Sequence, residues 1–376
     1  MDQKLIDILK IIGALFFLYL FLVSIKLMGI SFQLFGKGFA EQLIGSYSNP
    51  FVGLFTGILA TSLVQSSSTT TSLVVGLVGG GVLPIEYAIP ILMGANLGTT
   101  ITNTLVSLSF VTRKPDFRRA FAGATVHDFF NMCTIVVFFP LEIRFHWIQK
   151  SAFFLTRVFE GFGGVRFTSP FKIAISPAVN GVKYLLMNMM SLPEIAAGIV
   201  MLIVAVIMVI TSLIYLVKTL RALTITRATV FVDRFLFRND FTAFLLGLFL
   251  TLAVQSSSVT TSLIVPLVAA GLLGLRRCYP ATLGANLGTT VTAILASLAT
   301  VSLIDDQTVN TAGITAAFAH LMFNVYGIAV FYPLRRIPIF CARRMADLAA
   351  RSKKWGPIFV FLVFFMVPFL IILMAS

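Results

Sequence analysis

Two polar octapeptides, QSSSTTTS at 65–72 and QSSSVTTS at 255–262, interrupt stretches otherwise apolar enough to lie in a lipid bilayer. They constrain the fold strongly, because polar groups placed in hydrocarbon must be satisfied within the protein. About 14 apolar-rich residues flank each QSSS on either side, or about 21 Å of helix per arm. An arm of that length passes a bilayer midplane without crossing the whole core. Two such arms meeting at a polar tip predict a re-entrant helical hairpin over 51–82 and another over 241–272.

The rest of the chain fits a polytopic all-α membrane protein. Of 376 residues, 58% are hydrophobic and only 11% charged, too few charges to cover a soluble surface. Seven segments are long enough to cross, near 8–30, 85–111, 120–141, 195–217, 279–304, 312–334 and 356–374. No signal-peptide cleavage site follows the first of them. The net charge of +14 sits in short loops, including Arg113, Lys114, Arg118 and Arg119, and the run from Arg335 to Lys354. That pattern is expected of cytoplasmic loops facing anionic lipid and excludes nucleic acid as the expected partner. Cys133, Cys278 and Cys341 are too far apart for a metal motif or a disulfide framework.

The chain is internally duplicated. Gln65 matches Gln255 and Asn96 matches Asn286 at an offset of 190, and GANLGTT stands identically at 94–100 and 284–290. His127 matches His320, Asn131 matches Asn324 and Pro140 matches Pro333 at an offset of 193. The repeats therefore run over 8–142 and 195–335, separated by a loop at 143–194 and followed by a basic loop and helix at 336–376. Three crossings lie between the two tips, so the second hairpin enters from the opposite face and the repeats are inverted. With the N-terminus inside, the basic loops 113–119, 218–240 and 335–354 share the cytoplasmic face. The 142–194 segment then lies outside despite its basic residues; WIQKSAFFLTRVFEGF within it reads as an amphipathic surface helix.

The polar residues point to ion and anion binding. Hydroxyls of Ser66, Ser67, Ser68, Ser256, Ser257 and Ser258, with the amides of Gln65 and Gln255, can replace the water around an oxyanion without a fixed charge. Exposed helix ends at the tips add backbone donors and acceptors. In GANLGTT, Gly94 and Gly98 (Gly284 and Gly288) are expected to loosen a helix midway, giving each repeat a broken transmembrane helix. Beside each break, Asn96, Thr99, Thr100 and Thr102, with Asn286, Thr289, Thr290 and Thr292, supply oxygens suited to sodium. Close helix packing would explain the glycines but not so many oxygens. Asp128, in HDFFN, is a carboxylate inside an apolar segment with Asn131 on nearly the same helical face, which favours a cation or a proton. Leu321 replaces that acid in the second copy. His127 and His320 are expected to be satisfied by helix neighbours.

These residues resemble the type II sodium-dependent phosphate cotransporters in a compact bacterial form. The resemblance is carried by both QSSS peptides, both GANLGTT copies, and DFRRAFAGATVHDFFN at 116–131. It implies a multi-pass protein of the bacterial inner membrane that couples inward sodium movement to uptake of inorganic phosphate by alternating access, without a cofactor. It further implies phosphate at Gln65–Ser68 and Gln255–Ser258, and sodium at Thr99, Thr104, Asn131, Thr289 and Thr292. Members with aspartate at the position of Asp128 move net charge, so the resemblance implies electrogenic transport. Relatives often carry serine where Ala95 and Ala285 stand, so neither position offers a side-chain oxygen here. The competing classes are a transporter or exporter of another small anion, a channel, and an intramembrane serine hydrolase using Ser66–Ser68 with His127. The hydrolase lacks a G-x-S-x-G elbow.

Overall fold

A computed structural model describes residues 8–17, 19–20, 23–24, 27, 34, 49–79, 83–159, 170–223, 239–254, 256–300, 307–352 and 354–375. All regular structure among them is helical. In chain order the helices are α1 (Ile8–Phe17), α2 (Pro50–Val64), α3 (Ser67–Gly79), α4 (Ile85–Gly98), α5 (Ile101–Leu108), α6 (Lys114–Phe145) and α7 (Trp147–Phe159). There follow α8 (Pro170–Tyr184), α9 (Glu194–Leu223), α10 (Asp240–Val254), α11 (Ser257–Ala269), α12 (Leu275–Thr300), α13 (Gln307–Phe331), α14 (Arg336–Arg351) and α15 (Trp355–Ala375). Three described segments are long and apolar enough to cross a membrane: Lys114–Phe145, Ala312–Phe331 and Trp355–Ala375.

Each polar peptide stands between two short helices, and both pairs begin in the same way. An asparagine starts each pair: Asn49 Oδ1 accepts from Phe51 N at 2.9 Å, and Asn239 Oδ1 accepts from Thr242 N at 2.8 Å. Such caps satisfy helix-end amides that have no partner in their own helix. The helices are 15 and 13 residues long in each pair, α2 with α3 and α10 with α11. At the usual rise the longer arm spans roughly 22 Å.

The glycines of the repeat do not loosen the helices; they bring two backbones together. A Cβ on Gly94 of α4 would lie 1.9 Å from Leu54 O of α2, and one on Gly57 of α2 would lie 2.1 Å from Ile91 O of α4. The duplicated contact is nearly identical: Gly284 of α12 would meet Phe244 O at 1.9 Å, and Gly247 of α10 would meet Ala281 O at 2.0 Å. Gly98 and Gly288 lie against Thr61 and Thr251 in the same seams. This is the small-residue packing that lets membrane helices approach without a solvent-driven hydrophobic force. The expected break is present in the first copy alone. There Thr99 and Thr100 form a turn between α4 and α5, and the amide of Thr100 bonds Leu97 O, one residue short of the α-helical spacing. In the second copy α12 runs unbroken from Leu275 to Thr300 through the identical GANLGTT.

Helix α6, 32 residues long, touches both pairs. The ring of Phe51, where α2 begins, packs edge-on against Phe139 of α6 at 5.1 Å between centroids. At the other end of α6, Arg119 Nε donates to Ala269 O at 3.0 Å, where α11 stops. Twenty residues of helix separate those contacts, roughly 30 Å. The basic segments gather at the Arg119 end: Arg118 pairs with Asp347 of α14, and Arg335 pairs with Asp240 at the start of α10. At the Phe139 end, His146 adopts a left-handed backbone and Glu142 Oε2 accepts from Ile148 N at 2.6 Å, turning the chain into α7. That helix is the amphipathic segment of 142–194. Its Ile148 and Ala152 are buried, Thr156 bonds Thr315 of α13 at 2.9 Å, and Phe153 and Phe154 face outward.

Replacing Gly94 or Gly284 by valine should cost about 3 kcal/mol or more, since backbone atoms cannot yield as side chains do. Gly181→Ala, where nothing lies within 4 Å, should leave stability unchanged or slightly higher. Thermal unfolding of the detergent-purified chain checks this; equal melting temperatures for all three would refute the close-approach account.

Candidate functional site

The first tip is closed by its own glutamine. Gln65 takes φ 56°, its amide donates to Thr61 O at 2.7 Å, and its side-chain Nε2 donates to Ser62 O at 2.8 Å. The end of α2 is thereby satisfied without water, and left-handed backbone at a non-glycine residue is held by these bonds. Gln65 Oε1 accepts from Thr102 Oγ1 of α5 at 2.5 Å. Gln255, its counterpart, lies outside the described residues. At the second tip Ser256 Oγ caps α11 by accepting from Val259 N at 3.3 Å.

The hydroxyls of the two peptides divide into spent and unspent. Thr70, Thr71, Thr260 and Thr261 bond carbonyls one turn back, at Ser66, Ser67, Ser256 and Ser257. Ser258 Oγ reaches across to Thr99 O at 3.4 Å, and Ser66 has a partner as well. The hydroxyls of Ser67, Ser68 and Ser257 make no side-chain hydrogen bond among the described residues. Each stands in the first turn of its helix, where backbone amides lack intrahelical acceptors.

Both tips bond the same short segment, 99–104. Gln65 holds Thr102, Ser258 holds the carbonyl of Thr99, and Asn103 Oδ1 accepts from Thr261 Oγ1 and Ser262 Oγ, both at 2.9 Å. From α6, Asp128 Oδ2 accepts from Thr104 Oγ1 at 3.2 Å. Asp128 is fully buried and its Oδ1 has no hydrogen-bond partner among the described residues. A buried carboxylate oxygen left without a donor is costly unless a proton or a cation completes it. The neighbouring threonines spend their hydroxyl protons on their own helix. Thr99 and Thr100 donate to Ala95 O and Leu97 O at 2.9 and 2.7 Å, which leaves hydroxyl lone pairs free to face a cation. Thr290 does the same toward Leu287 O at 2.7 Å, while Thr289 donates to Ala285 O at 3.3 Å and has a further partner. The side chain of Thr292 is outside the described residues.

Behind this segment lies a network of four buried asparagines, two from each repeat. Asn324 Oδ1 accepts from Asn96 Nδ2 at 2.8 Å and from Asn286 Nδ2 at 2.7 Å. Asn286 Nδ2 also donates to Asn131 Oδ1 at 3.0 Å, and Asn131 Nδ2 donates to Asn96 O at 3.1 Å. Asn324 Nδ2 donates to His320 O, and His320 Nε2 bonds Asn96 Oδ1, both at 3.0 Å. Asn96, Asn131 and Asn286 thus join the two copies, and none of them bonds the tips directly among the described residues. Asn324 and Asn103 were not singled out as site residues by the sequence; Asn324's match to Asn131 was the available signal. The histidines depart from expectation. His320 Nε2 bonds a residue of a different helix while its Nδ1 has no partner among the described residues, and neither ring nitrogen of His127 has one.

The sequence profile of the Na+/Pi-cotransporter family matches residues 20–167 and 208–366. Among curated relatives, sodium-dependent phosphate transport protein 2B of Pongo abelii is 32% identical over 96% of this chain and 64% of its own length. The Homo sapiens 2B protein gives the same three figures. Sodium-dependent phosphate transport protein 2A of Mus musculus is 33% identical over 99% of this chain and 69% of its own length. The chain therefore spans less than two thirds of the 2B proteins. No solved structure matches.

Asn324→Ala removes the shared acceptor for Asn96 and Asn286 and should destabilise the fold by about 1–3 kcal/mol. The melting temperature in detergent should fall clearly; no fall would mean that the asparagine network is dispensable to the joint.

Proposed function

The chain belongs to the Na+/Pi-cotransporter family, and from that premise we propose that it takes up inorganic phosphate driven by an inward sodium gradient. Its matched relatives are named as sodium-dependent phosphate transport proteins, not enzymes, and it is a helical membrane protein. The observation that carries the proposal is the meeting of both QSSS tips on the 99–104 segment beside Asp128.

In this reading α2–α3 and α10–α11 are re-entrant hairpins of two inverted repeats, 8–142 and 195–335. Support comes from the asparagine-capped starts, the matched glycine seams, and the bases of the pairs at opposite ends of α6. The protein would lie in a bacterial inner membrane as a multi-pass chain with its basic segments inside. Phosphate would be held by Gln65–Ser68 and Gln255–Ser258. The unspent hydroxyls of Ser67, Ser68 and Ser257 donate to its oxygens, with first-turn amides of α3 and α11 beside them. Sodium would be held among Thr99, Thr100, Thr104, Asp128 and Asn131 in the first repeat, and near Thr289 and Thr292 in the second. Asn96 and Asn286 would act through the joint between repeats. Asp128 would supply the fixed negative charge of the first sodium site and so allow sodium ions to bind whose combined charge exceeds that of the phosphate they accompany, and each cycle then carries net positive charge inward.

Alternating access follows from one segment being shared by two tips. Gln65 reaches 99–104 from one hairpin and Ser258 from the other, so opening to either side loosens one set of these bonds and keeps the other.

Proteoliposomes holding the purified chain should accumulate labelled phosphate when sodium is imposed outside and not when choline replaces it. Equal accumulation in both would end the cotransport reading. Asp128→Gly should cut the current per phosphate at least tenfold while leaving measurable uptake, read by solid-supported-membrane recording beside tracer flux. An unchanged ratio of current to flux would remove Asp128 from the sodium site.

A further inference from the structure

We propose that a cavity at the basic end of the molecule binds the headgroup of an anionic phospholipid. Its volume is about 1120 Å³, and its walls include Arg276, Arg335, Arg336 and Arg343, with Leu334 and Phe340. The arginines come from two parts of the chain, the start of α12 and the stretch from the end of α13 through the first half of α14.

The charges in this cavity are mostly uncompensated. Arg335 is occupied by Asp240, but Arg276, Arg336 and Arg343 make no hydrogen bond or ion pair among the described residues. Three unpaired guanidinium groups around one space attract an anion, and their planar donors match the oxygens of a phosphate ester.

Phosphate chemistry has two sources here, a free ion or a lipid, and the surroundings favour the lipid. Helix α14 links two membrane-length segments, Ala312–Phe331 and Trp355–Ala375, and it carries four arginines. A helix so charged cannot sit in hydrocarbon and belongs at the interface between lipid and water. Its inner face of Pro338, Ile339, Ala342, Ala346 and Ala349 is buried, yet Ile337 and Phe340 remain 47% and 56% exposed. Leu334 beside them is 49% exposed. The cavity therefore has cationic heads within it and bare apolar side chains at its edge. A phosphodiester with acyl chains satisfies both, whereas a free phosphate would leave the apolar edge uncovered. The same end of the bundle carries Lys114, Arg118 and Arg119, which fits a leaflet rich in anionic lipid.

The test is native mass spectrometry of the full-length chain in detergent, titrated with phosphatidylglycerol or phosphatidylcholine. Phosphatidylglycerol should bind with a clear preference. The double variant Arg276→Gln with Arg343→Gln should weaken that binding about thirtyfold, at roughly one surface charge's contribution per arginine. Arg351→Gln, at the far end of α14, should leave it within about twofold. Equal retention of the two lipids, or equal weakening by Arg351→Gln, would overturn the proposal. Full displacement of phosphatidylglycerol by millimolar inorganic phosphate would also overturn it and assign the cavity to the free ion. A circular-dichroism melt of the double variant matching wild type shows that lost binding is not lost fold. The inference rests on the membrane reading and not on what the chain transports.

Discussion

A buried amide in a low-dielectric interior must be answered by another polar group, and four asparagines here answer one another. Asn96 and Asn286 come from the two GANLGTT peptides, Asn131 and Asn324 from the two long helices α6 and α13. Each alone would be an unsatisfied group costing more than its helix could recover. Together they join the repeats at a polar seam that no apolar contact could specify, because apolar surfaces slide past one another and amide pairs do not. The closely packed pairs, α2 with α4 and α10 with α12, position Asn96 and Asn286 for this meeting, so the glycine seams and the amide network are parts of one construction.

The duplication made much of this legible before any coordinates. The paired short helices beside each polar tip and the basic residues that gather around Arg118 and Arg335 follow from spacing and charge. What the spacing could not decide was what each glycine does. A glycine that loosens a helix and one that admits a neighbouring backbone look alike until the neighbour is placed. The same limit hid Asn324: its repeat partner Asn131 drew notice for standing near an acid, and Asn324 has a leucine at the corresponding place. Gln65 read as a ligand, and in the structure its side chain closes the end of α2 and bonds Thr102.

Identical sequence with different structure is the most informative discrepancy. GANLGTT is interrupted at Thr99–Thr100 in one copy and lies within continuous helix in the other. Intrinsic propensity cannot differ between identical peptides, so the interruption is imposed from outside. The described contacts suggest the agents: Ser258 takes the carbonyl of Thr99, and Asp128 takes the hydroxyl of Thr104. Both act on the first copy alone, and Asp128 has no acidic counterpart, because Leu321 fills its position.

Symmetry and its loss therefore do separate work in this chain. The duplicated elements, caps, seams and asparagines, build a frame in which two half-length helix pairs reach one place from opposite ends of α6. The unduplicated element, a single carboxylate with one oxygen unanswered among the described residues, makes that place chemically one-sided. A fully symmetric frame would offer equivalent oxygen-lined sites in both halves, with no fixed charge to distinguish them. One buried acid in one half leaves the two halves electrostatically unequal, and it does so beside the segment that both tips hold. Asp128 is thereby linked to Gln65 and to Ser258 through the six consecutive residues 99–104, so a change at its carboxylate has a short covalent route to both tips.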